Sequence, residues 1–213
     1  MTADLFPNLT PREAERYLAL QARRTEALRL HLYRKIGLAH MKSVLEVGCG
    51  SGAVLRELQG KVPLAAGLDP APAPGLKRSV CGMGERLPFQ GNVFQAAFLH
   101  YALLWIKDLK SFFEDARRAL APGGSIVLLA EPLLGECAGG DAAAFIALHE
   151  GAGIHAFRAE DVDRLFRENG FIPAFDISGE ADAQDPEWEA LNTKLLGRSM
   201  DVRIPLLYGT ATV

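Results

Sequence analysis

An acidic residue interrupts a strand-like segment just before a glycine-rich turn. The segment VLEVGCGSG, residues 44–52, begins as an apolar strand and ends in three glycines, with Glu46 inside the apolar part. Strands of parallel sheets are buried on both faces and normally read as continuous apolar runs, and a buried acid is costly unless it has a partner. Glycines permit a tight turn and a close approach of a ligand to the backbone. The pattern predicts a ligand-binding turn with a carboxylate next to it.

A second acid, Asp69, ends the next apolar run, 21 residues after Gly48. In dinucleotide-binding proteins an acid at about this distance binds a ribose. The two oxygens of a carboxylate can accept hydrogen bonds from both vicinal hydroxyl groups of a ribose. We therefore expect a nucleoside-containing ligand across the carboxyl ends of the first two strands. The spacing Gly48-x-Gly50-x-x-Ala53 by itself also fits nicotinamide and flavin cofactors.

Short apolar runs alternate with helical patterns from residue 44 onward. This alternation predicts an α/β fold in which right-handed helical crossovers join parallel strands. The proline-rich stretch 69–75 is expected to be a stiff loop in place of the usual helix after the second strand. The expected strands are 44–48, 63–69, 93–100, 125–132, 171–178 and 201–212, and the expected helices are 53–60, 109–120, 159–169 and 186–197.

Three features describe the second half of this sheet. Residues 121–124, Ala-Pro-Gly-Gly, are expected to end one helix and to lead into the next strand. Residues 133–157 have the weakest pattern and are expected to overhang the strand ends. Pro205 favours an edge position or a bulge for the last strand, and we expect the two end strands to form an antiparallel pair.

The chain begins with a predicted helical cap. Residues 10–13, Thr-Pro-Arg-Glu, form a capping box with proline in the first helical position. A helix is expected to start there, to break near residues 23–24, and to end at Gly37 in a left-handed conformation. We predict that residues 1–40 form a cap on the same domain and that residues 41–213 form the ligand-binding part.

Composition and charge disfavour several kinds of partner. The 213 residues suit one domain, and 23 Lys and Arg against 26 Asp and Glu leave no basic excess for binding nucleic acid. The N-terminus lacks a signal-peptide pattern, and the longest mostly apolar run, 93–106, is too short to span a bilayer. Three cysteines without a CxxC motif suggest reduced thiols and no metal site. We expect a cytoplasmic protein without membrane or nucleic-acid partners, and the sequence does not indicate its oligomeric state.

The segment VLEVGCGSG closely resembles the first motif of class I S-adenosylmethionine-dependent methyltransferases, in which an acid stands two places before the first glycine. Residues 82–89, GMGERLPF, and the following VFQ at 93–95 resemble that family's G-D-A-E-x-L-P-F and F-D stretch. Residues 103–108, LLWIKD, resemble its L-H-H-L-x-D stretch. Together these motifs are far more specific than a glycine-rich turn alone.

Later segments follow the same order. A helix, a Leu-x-Pro-Gly-Gly turn and a strand occupy residues 109–131, and residues 158–171 resemble the family's late helix ending in Gly-Phe. The resemblance covers roughly 44–131 and 158–178, with the spacing of the small-molecule methyltransferase branch. It implies a Rossmann-like, seven-stranded, mostly parallel sheet with helices on both faces and an antiparallel terminal strand.

The resemblance also implies an activity. A methyl group would pass from S-adenosylmethionine to a small-molecule acceptor by in-line displacement, with S-adenosylhomocysteine as the product. Glu46 would lie near the methionyl end of the cofactor, close to its cationic sulfonium group. The implied cofactor-binding residues are Glu46, Gly48, Cys49, Gly50, Gly52, Asp69, Pro70, Met83, Gly84, Glu85, Leu99 and His100.

Two residues depart from the family pattern. Met83 stands where an Asp usually receives the adenine amino group, and Gln95 stands where the fourth strand usually opens with Asp. Losing a charge-assisted hydrogen bond costs about 1.5–3 kcal/mol, which weakens binding without abolishing it. A non-catalytic S-adenosylmethionine-binding relative is therefore a second hypothesis. A nicotinamide-dependent oxidoreductase is a third, and Glu46 argues against it because no cation would compensate its burial.

Few side chains are candidates for acid–base chemistry, which is needed only when the acceptor must lose a proton. His100 is the histidine best placed to act as a base, with Tyr101 beside it; a backbone hydrogen bond at the strand end is its alternative role. Glu131, at the end of the fifth strand, either faces the acceptor or caps a loop. We expect His149 and His155 to line a pocket or to lie on the surface rather than to bind a metal.

Overall fold

The central strands of the sheet coincide with the apolar runs of the sequence. The order of strands across the sheet is β3-β2-β1-β4-β5-β7-β6. Strands β1 to β5, which are neighbours in the sheet, are all parallel, and β7 runs antiparallel to both of its neighbours, β5 and β6. The predicted seven-stranded, mostly parallel α/β sheet is therefore confirmed. In the computed structural model, which describes residue 6 and residues 8–178 and 185–213, the strands are β1 (Ser43–Val47), β2 (Leu64–Asp69), β3 (Ser79–Cys81), β4 (Phe94–His100), β5 (Leu120–Pro132), β6 (Ile172–Ser178) and β7 (Leu206–Thr212).

Helices cover both faces of the sheet. Successive residues of a strand point to opposite faces, and Val44 and Leu45 of β1 accordingly belong to two different core clusters. The cluster around Leu45 includes Phe112 and Phe166, whereas the cluster around Val44 includes Leu55. The described helices are α1 (Pro11–Arg24), α2 (Glu26–Lys35), α3 (Ala53–Gln59), α4 (Leu109–Ala119), α5 (Ala142–Gly151), α6 (Ala159–Glu168) and α7 (Pro186–Leu196). Thus α4 and α6 pack on one face, and α3 packs on the other.

The N-terminal helices begin and end where the sequence predicts. The Thr10 hydroxyl oxygen accepts a hydrogen bond from the Glu13 N–H group (3.3 Å), and a Glu13 carboxylate oxygen accepts one from the Thr10 N–H group (2.9 Å). The break between α1 and α2 falls at Thr25, and Gly37 has a φ of 66°. The division of the chain after residue 40 stays a prediction, and residues 1–5 and 7 of the predicted cap lie outside the described residues.

The last strand differs from the expectation based on Pro205. Strand β7 begins at Leu206, directly after Pro205, and lies between β5 and β6, so the edge position was wrong and β6 is the edge strand at this end of the sheet. The alternative expectation was a bulge, and the pairing of β7 with β5 does contain an irregularity, between Leu128 and Glu131 of β5. Because Pro205 precedes the strand, its missing N–H group removes no bond from the ladder. The antiparallel pairing of the last two strands is confirmed.

Three further elements were missed or misplaced. The short edge strand β3 was not located in the sequence. The expected turn at 121–124 lies inside β5, as an irregularity in its pairing with β4 between Leu120 and Ser125. The weakly patterned segment 133–157 contains helix α5. No helix in the described part of the chain is long and apolar enough to cross a membrane.

Candidate functional site

The turn after β1 requires glycine. Gly48, Gly50 and Gly52 have φ values of 80°, 43° and 77°, a region that favours glycine. A Cβ atom on Gly48 would lie only 2.7 Å from the Cβ atom of Ala102, which belongs to the loop after β4. The glycine turn and the loop after β4 therefore pack against each other at the carboxyl ends of β1 and β4, and the region beside them is called the candidate cleft, or the cleft, below.

Asp69 lies at the end of β2, directly beside the glycine turn. Its two carboxylate oxygens accept hydrogen bonds from the Gly50 N–H group (2.8 Å) and the Ala71 N–H group (2.7 Å). A carboxylate oxygen has more than one acceptor position, so Asp69 can fix the glycine turn and still receive hydroxyl groups of a ligand. The sequence predicted the ligand-facing role but not the second role, which is to hold the turn.

Glu46 is buried next to the turn with an unsatisfied oxygen. Only 2% of the residue is exposed, and Oε2 has no hydrogen-bond partner. Burial raises the pKa of Glu46 to about 8, while the positive charge of Arg29 acts in the opposite direction. An unpaired buried carboxyl group costs stability unless a cation or a donor approaches it. The site is therefore suited to a ligand that carries a positive charge.

Arg29 of α2 is a buried cation that no sequence motif indicates. Its guanidinium group forms an ion pair with Glu57 (2.9 Å) and donates a hydrogen bond to the Thr25 hydroxyl oxygen (2.7 Å), and only 3% of the residue is exposed. Thr25 in turn lies 2.8 Å from Nε2 of His100. These contacts connect the junction of α1 and α2 to the end of β4.

His100 is a poor base in this environment. Burial, and next the charge of Arg29, lower its pKa to about 3, so the ring is neutral near pH 7. Its described hydrogen bond goes to the Thr25 hydroxyl group rather than to the backbone, which was the alternative expected from the sequence. A neutral imidazole can orient a ligand through a hydrogen bond but has little tendency to take up a proton.

Tyr101 follows His100 in an uncommon backbone conformation. Its φ is 54°, in the left-handed region that bulky residues rarely occupy. The Tyr101 and His100 rings are 5.0 Å apart and nearly perpendicular. Burial raises the pKa of the Tyr101 hydroxyl group, which keeps this group protonated near pH 7.

Two of the predicted cofactor residues have buried side chains. The Cys49 side chain is buried, and the Leu99 side chain is fully buried in the core cluster of Phe112. Burial also raises the pKa of the Cys49 thiol, which keeps it protonated. These two positions therefore contribute packing through their side chains.

The loop after β3 holds the other predicted residues. Glu85 accepts a hydrogen bond from the Lys107 N–H group (2.9 Å), which ties this loop to the loop after β4. A Cβ atom on Gly84 would lie 3.3 Å from Ile106 and 3.4 Å from Val47, so glycine is favoured by the space available. Met83 is 48% exposed, and Pro70, at the end of β2, is half-buried.

Gln95 has a structural role away from the cleft. Its side-chain oxygen accepts hydrogen bonds from the Lys42 N–H group (2.5 Å) and the Ser43 N–H group (3.4 Å) at the start of β1. Gln95 lies near the amino end of β4, whereas the predicted residues of the glycine turn and Asp69 lie at the carboxyl ends of the strands. The Gln95 side chain, which departs from the family pattern, therefore makes no direct contact with the candidate site.

Helices α1 and α7, from the two ends of the chain, pack against each other beside the cleft. A Cβ atom on Gly50 would lie 3.9 Å from the Leu18 side chain, which places α1 over the glycine turn. Tyr17 of α1 stacks on Trp188 of α7 with ring centroids 5.8 Å apart, and the Arg24 guanidinium carbon lies 4.2 Å from the Trp188 ring centroid. Trp188 was not identified as a candidate site residue from the sequence. The only available signal was an aromatic residue within the predicted helix 186–197.

The remaining titratable candidates are held by the backbone. Glu131 accepts hydrogen bonds from the N–H groups of the loop after β4, which confirms the loop-capping alternative. His149 is bonded to the Phe145 carbonyl oxygen and His155 to the Ile106 carbonyl oxygen. In the described residues, no three His, Cys, Asp or Glu side chains are grouped as metal ligands.

Comparisons with known proteins agree with this geometry. Residues 45–128 match the family model described as "Methyltransferase domain". Sterol 4-C-methyltransferase strm-1 of Caenorhabditis elegans is 25% identical over 117 residues, which cover 48% of this chain and 35% of that protein. Malonyl-[acyl-carrier protein] O-methyltransferase of Halorhodospira halophila is 29% identical over 149 residues, which cover 62% of this chain and 49% of that protein. The chain spans about a third to a half of the length of these curated relatives.

The fold is also found in solved structures. Phosphoethanolamine N-methyltransferase 2 of Haemonchus contortus, in complex with S-adenosyl-L-methionine, aligns with a TM-score of 0.63 and 18% identity over 87% of this chain and 51% of that chain. This likeness shows that the fold is the Rossmann-like fold of class I methyltransferases. Together with the family match over residues 45–128, it confirms the resemblance drawn from the motifs.

Proposed function

We propose that this chain is an S-adenosylmethionine-dependent methyltransferase that acts on a small-molecule acceptor. The observation that carries the proposal is the buried, unpaired oxygen of Glu46 beside the glycine turn. Both the ammonium group and the sulfonium group of S-adenosylmethionine are cations that would compensate this carboxyl group. The relatives named above are methyltransferases with different acceptors, which supports the reaction class and leaves the acceptor open.

Different residues around the cleft would bind different parts of the cofactor. Asp69 would accept the ribose hydroxyl groups, the turn of Gly48 and Gly50 would lie along the amino-acid tail, and the backbone N–H groups of Met83 and Gly84 would bind the adenine ring. The cofactor supplies an electrophilic methyl group when it is bound. Since methyl transfer is an in-line displacement, positioning of the acceptor can supply most of the rate acceleration.

His100 and Tyr101 would lie on the acceptor side. The neutral ring of His100 would accept or donate one hydrogen bond, while the hydroxyl group of Tyr101 would contact the acceptor directly. Neither role requires a strong base, which fits the lowered pKa of His100. An acceptor that is already nucleophilic at neutral pH fits this site best. A cytoplasmic location is part of the proposal and rests on the three cysteines without paired spacing.

Calorimetry with S-adenosylmethionine and S-adenosylhomocysteine tests the binding step. We expect Asp69→Ala to weaken binding of S-adenosylhomocysteine at least tenfold, because both ribose contacts and the bond to the Gly50 N–H group are lost. Asp161→Ala is a matched control, since Asp161 also accepts a backbone hydrogen bond, from the Arg158 N–H group (3.3 Å), at the start of α6 and outside the residues assigned to the cofactor. No heat from wild-type protein at millimolar ligand would contradict the proposal.

A non-catalytic cofactor-binding protein is the second candidate. The exposed Met83 in place of an acid and the weakly basic His100 favour it. The two functions separate when protein, labelled S-adenosylmethionine and fractionated small-molecule extracts are incubated together. Transfer of label to any extract component supports the enzyme, whereas tight binding of the cofactor without transfer to any fraction supports the second candidate.

A further inference from the structure

Glu131 connects the end of β5 to the loop after β4. Only 3% of the residue is exposed, and its two carboxyl oxygens accept hydrogen bonds from the N–H groups of Ala102 and Leu103, both at 3.0 Å. Both donors belong to the turn that directly follows Tyr101. Because two adjacent N–H groups are held by one rigid carboxyl group, the path of the backbone through this turn is fixed.

Hydrogen bonds to β5 hold Tyr101 in its left-handed conformation. This conformation costs a non-glycine residue about 1–2 kcal/mol, so surrounding contacts must compensate for it. The Tyr101 N–H group donates to the Ala130 carbonyl oxygen (3.1 Å), and the next two N–H groups donate to Glu131. Adjacent residues of β5 thus hold three consecutive N–H groups.

The direction of the Tyr101 ring depends on this turn. The ring lies beside that of His100, and Ala102 packs closely against the glycine turn at Gly48. A change of φ at Tyr101 would rotate the side chain away from His100 while Ala102 remained confined by Gly48. The buried acid is therefore connected to the cleft through the backbone, without touching a ligand itself.

We propose that Glu131 is a positioning residue of the methyltransferase site: by holding the N–H groups of Ala102 and Leu103, it keeps Tyr101 left-handed and places its ring on the acceptor side of the cleft. The catalytic meaning of this arrangement rests on the proposed function. The arrangement itself is a property of the chain, and it can be measured whether or not a methyl group is transferred.

The test uses Glu131→Gln in protein labelled with 3-fluorotyrosine. An amide has nearly the same size as the carboxyl group, but its NH₂ group cannot accept a hydrogen bond, so one of the two N–H groups loses its acceptor. The four tyrosines give four fluorine signals, and Tyr101→Phe identifies the signal of Tyr101. We expect Glu131→Gln to shift or broaden this signal while the signals of Tyr33 and Tyr208 stay in place.

Glu136→Gln is the matched control. Glu136 also accepts a backbone hydrogen bond, from the Ala159 N–H group (2.7 Å), but this contact is not part of the turn after Tyr101. We expect this variant to leave the Tyr101 signal unchanged. An unchanged Tyr101 signal in folded Glu131→Gln protein would overturn the proposal, as would equal shifts in both variants.

Calorimetry separates this proposal from the proposed function. Because Glu131 does not face the cofactor, Glu131→Gln is expected to bind S-adenosylhomocysteine within about twofold of wild type. A tenfold loss would mean that Glu131 supports the whole cleft and does not specifically position Tyr101. If wild-type protein itself does not bind, the proposed function fails, and the fluorine signals still report on the turn.

Hydrogen exchange in wild-type protein covers the case in which Glu131→Gln does not fold. The amide protons of Ala102 and Leu103 are expected to exchange at least a hundredfold more slowly than those of an exposed loop. Tyr101→Gly is also expected to be more stable than Tyr101→Ala, because glycine adopts a φ of 54° without strain. Fast exchange at both amides, or the reverse order of stability, would overturn the proposal.

Discussion

The buried carboxyl group of Glu46 makes stability depend on pH in a predictable direction. Its pKa is about 8 in the folded protein, against an ordinary value of 4.5, and Arg29, Asp69, Glu57 and Arg56 are the charged groups that act on it. Between these two pH values the folded state binds more protons than the unfolded state. The contribution of Glu46 to stability is therefore fully present below pH 4.5 and is lost as the pH rises through 8.

Glu46→Gln should remove this dependence. We expect the free energy of unfolding of wild type, relative to that of the variant, to fall between pH 5 and pH 8 by up to about 1.4 kcal/mol per pH unit. Urea unfolding at several pH values in this range measures the difference. Glu131, whose pKa is also raised to about 8 by burial, leaves a slope of the same sign in the variant. Parallel curves for wild type and variant would contradict the prediction.

The local motifs predicted some site residues and not their partners. Glu46 and Asp69 were predicted because each stands at a fixed distance from the glycine turn in the chain. Arg29 was missed because nothing in the residues around it distinguishes a buried arginine from a solvated one. Its ion pair with Glu57 joins two helices that are distant in sequence, and only the packing of α2 against the sheet brings them together.

At the scale of elements, the glycine turn and the loop after β4 act as one packed unit. Gly48→Ala tests this packing, with Gly75→Ala as a matched control. Both glycines have a φ near 75–80°, but a Cβ atom at residue 48 would meet Ala102 at 2.7 Å, whereas nothing lies within 4 Å at residue 75. Both variants incur about 1–2 kcal/mol of backbone strain. We expect Gly48→Ala to lose a further ~1–3 kcal/mol from overpacking.

Urea unfolding measures both losses, and calorimetry with S-adenosylhomocysteine reports the effect on the cleft. Gly48→Ala should weaken binding because the turn must move away from the loop that carries Tyr101. Gly75→Ala should bind nearly as well as wild type. Equal losses of stability in the two variants would show that backbone strain alone, and not the contact between the two loops, determines the need for glycine at position 48.

The predictability of an element depends on whether its signals are local. The capping box at 10–13 and the apolar run of β1 are local patterns, and both were predicted correctly. Strand β3 has only three residues, and both Val80 and Cys81 are exposed, so it lacks a recognisable apolar pattern. The central position of β7 depends on pairing with strands at both sides, which Pro205 does not determine.

At the scale of the whole molecule, the two ends of the chain meet beside the cleft. Tyr17, Trp188, Leu191 and Leu195 belong to one apolar cluster between α1 and α7. The sequence pattern predicted both helices but not the contact between them. Their residues are about 170 positions apart, and the pattern within one helix does not identify the helix against which it packs. The predicted N-terminal cap is therefore completed by a helix from the C-terminal part of the chain.

Apolar contacts, and not the ion pairs around them, should hold this cap closed. Arg16 and Glu187 are 2.6 Å apart, but both side chains are about half exposed, and such pairs contribute about 0–1 kcal/mol. Tyr17 is 8% exposed and stacks on Trp188, and truncation of a buried aromatic side chain costs about 3–5 kcal/mol. We expect Tyr17→Ala to separate α1 from α7 far more readily than Arg16→Ala does.

Limited trypsin digestion measures this separation, because residues 23–24 are two arginines at the junction of α1 and α2. Cleavage there should be accelerated at least tenfold in Tyr17→Ala and by less than threefold in Arg16→Ala. Saturating S-adenosylhomocysteine should slow cleavage in wild type, since Leu18 of α1 lies over the glycine turn that would hold the ligand. If cleavage were accelerated equally in both variants, the surface ion pairs would contribute as much as the apolar contacts to holding α1 against α7. Cleavage of the wild-type protein would then also become faster as the ionic strength increases.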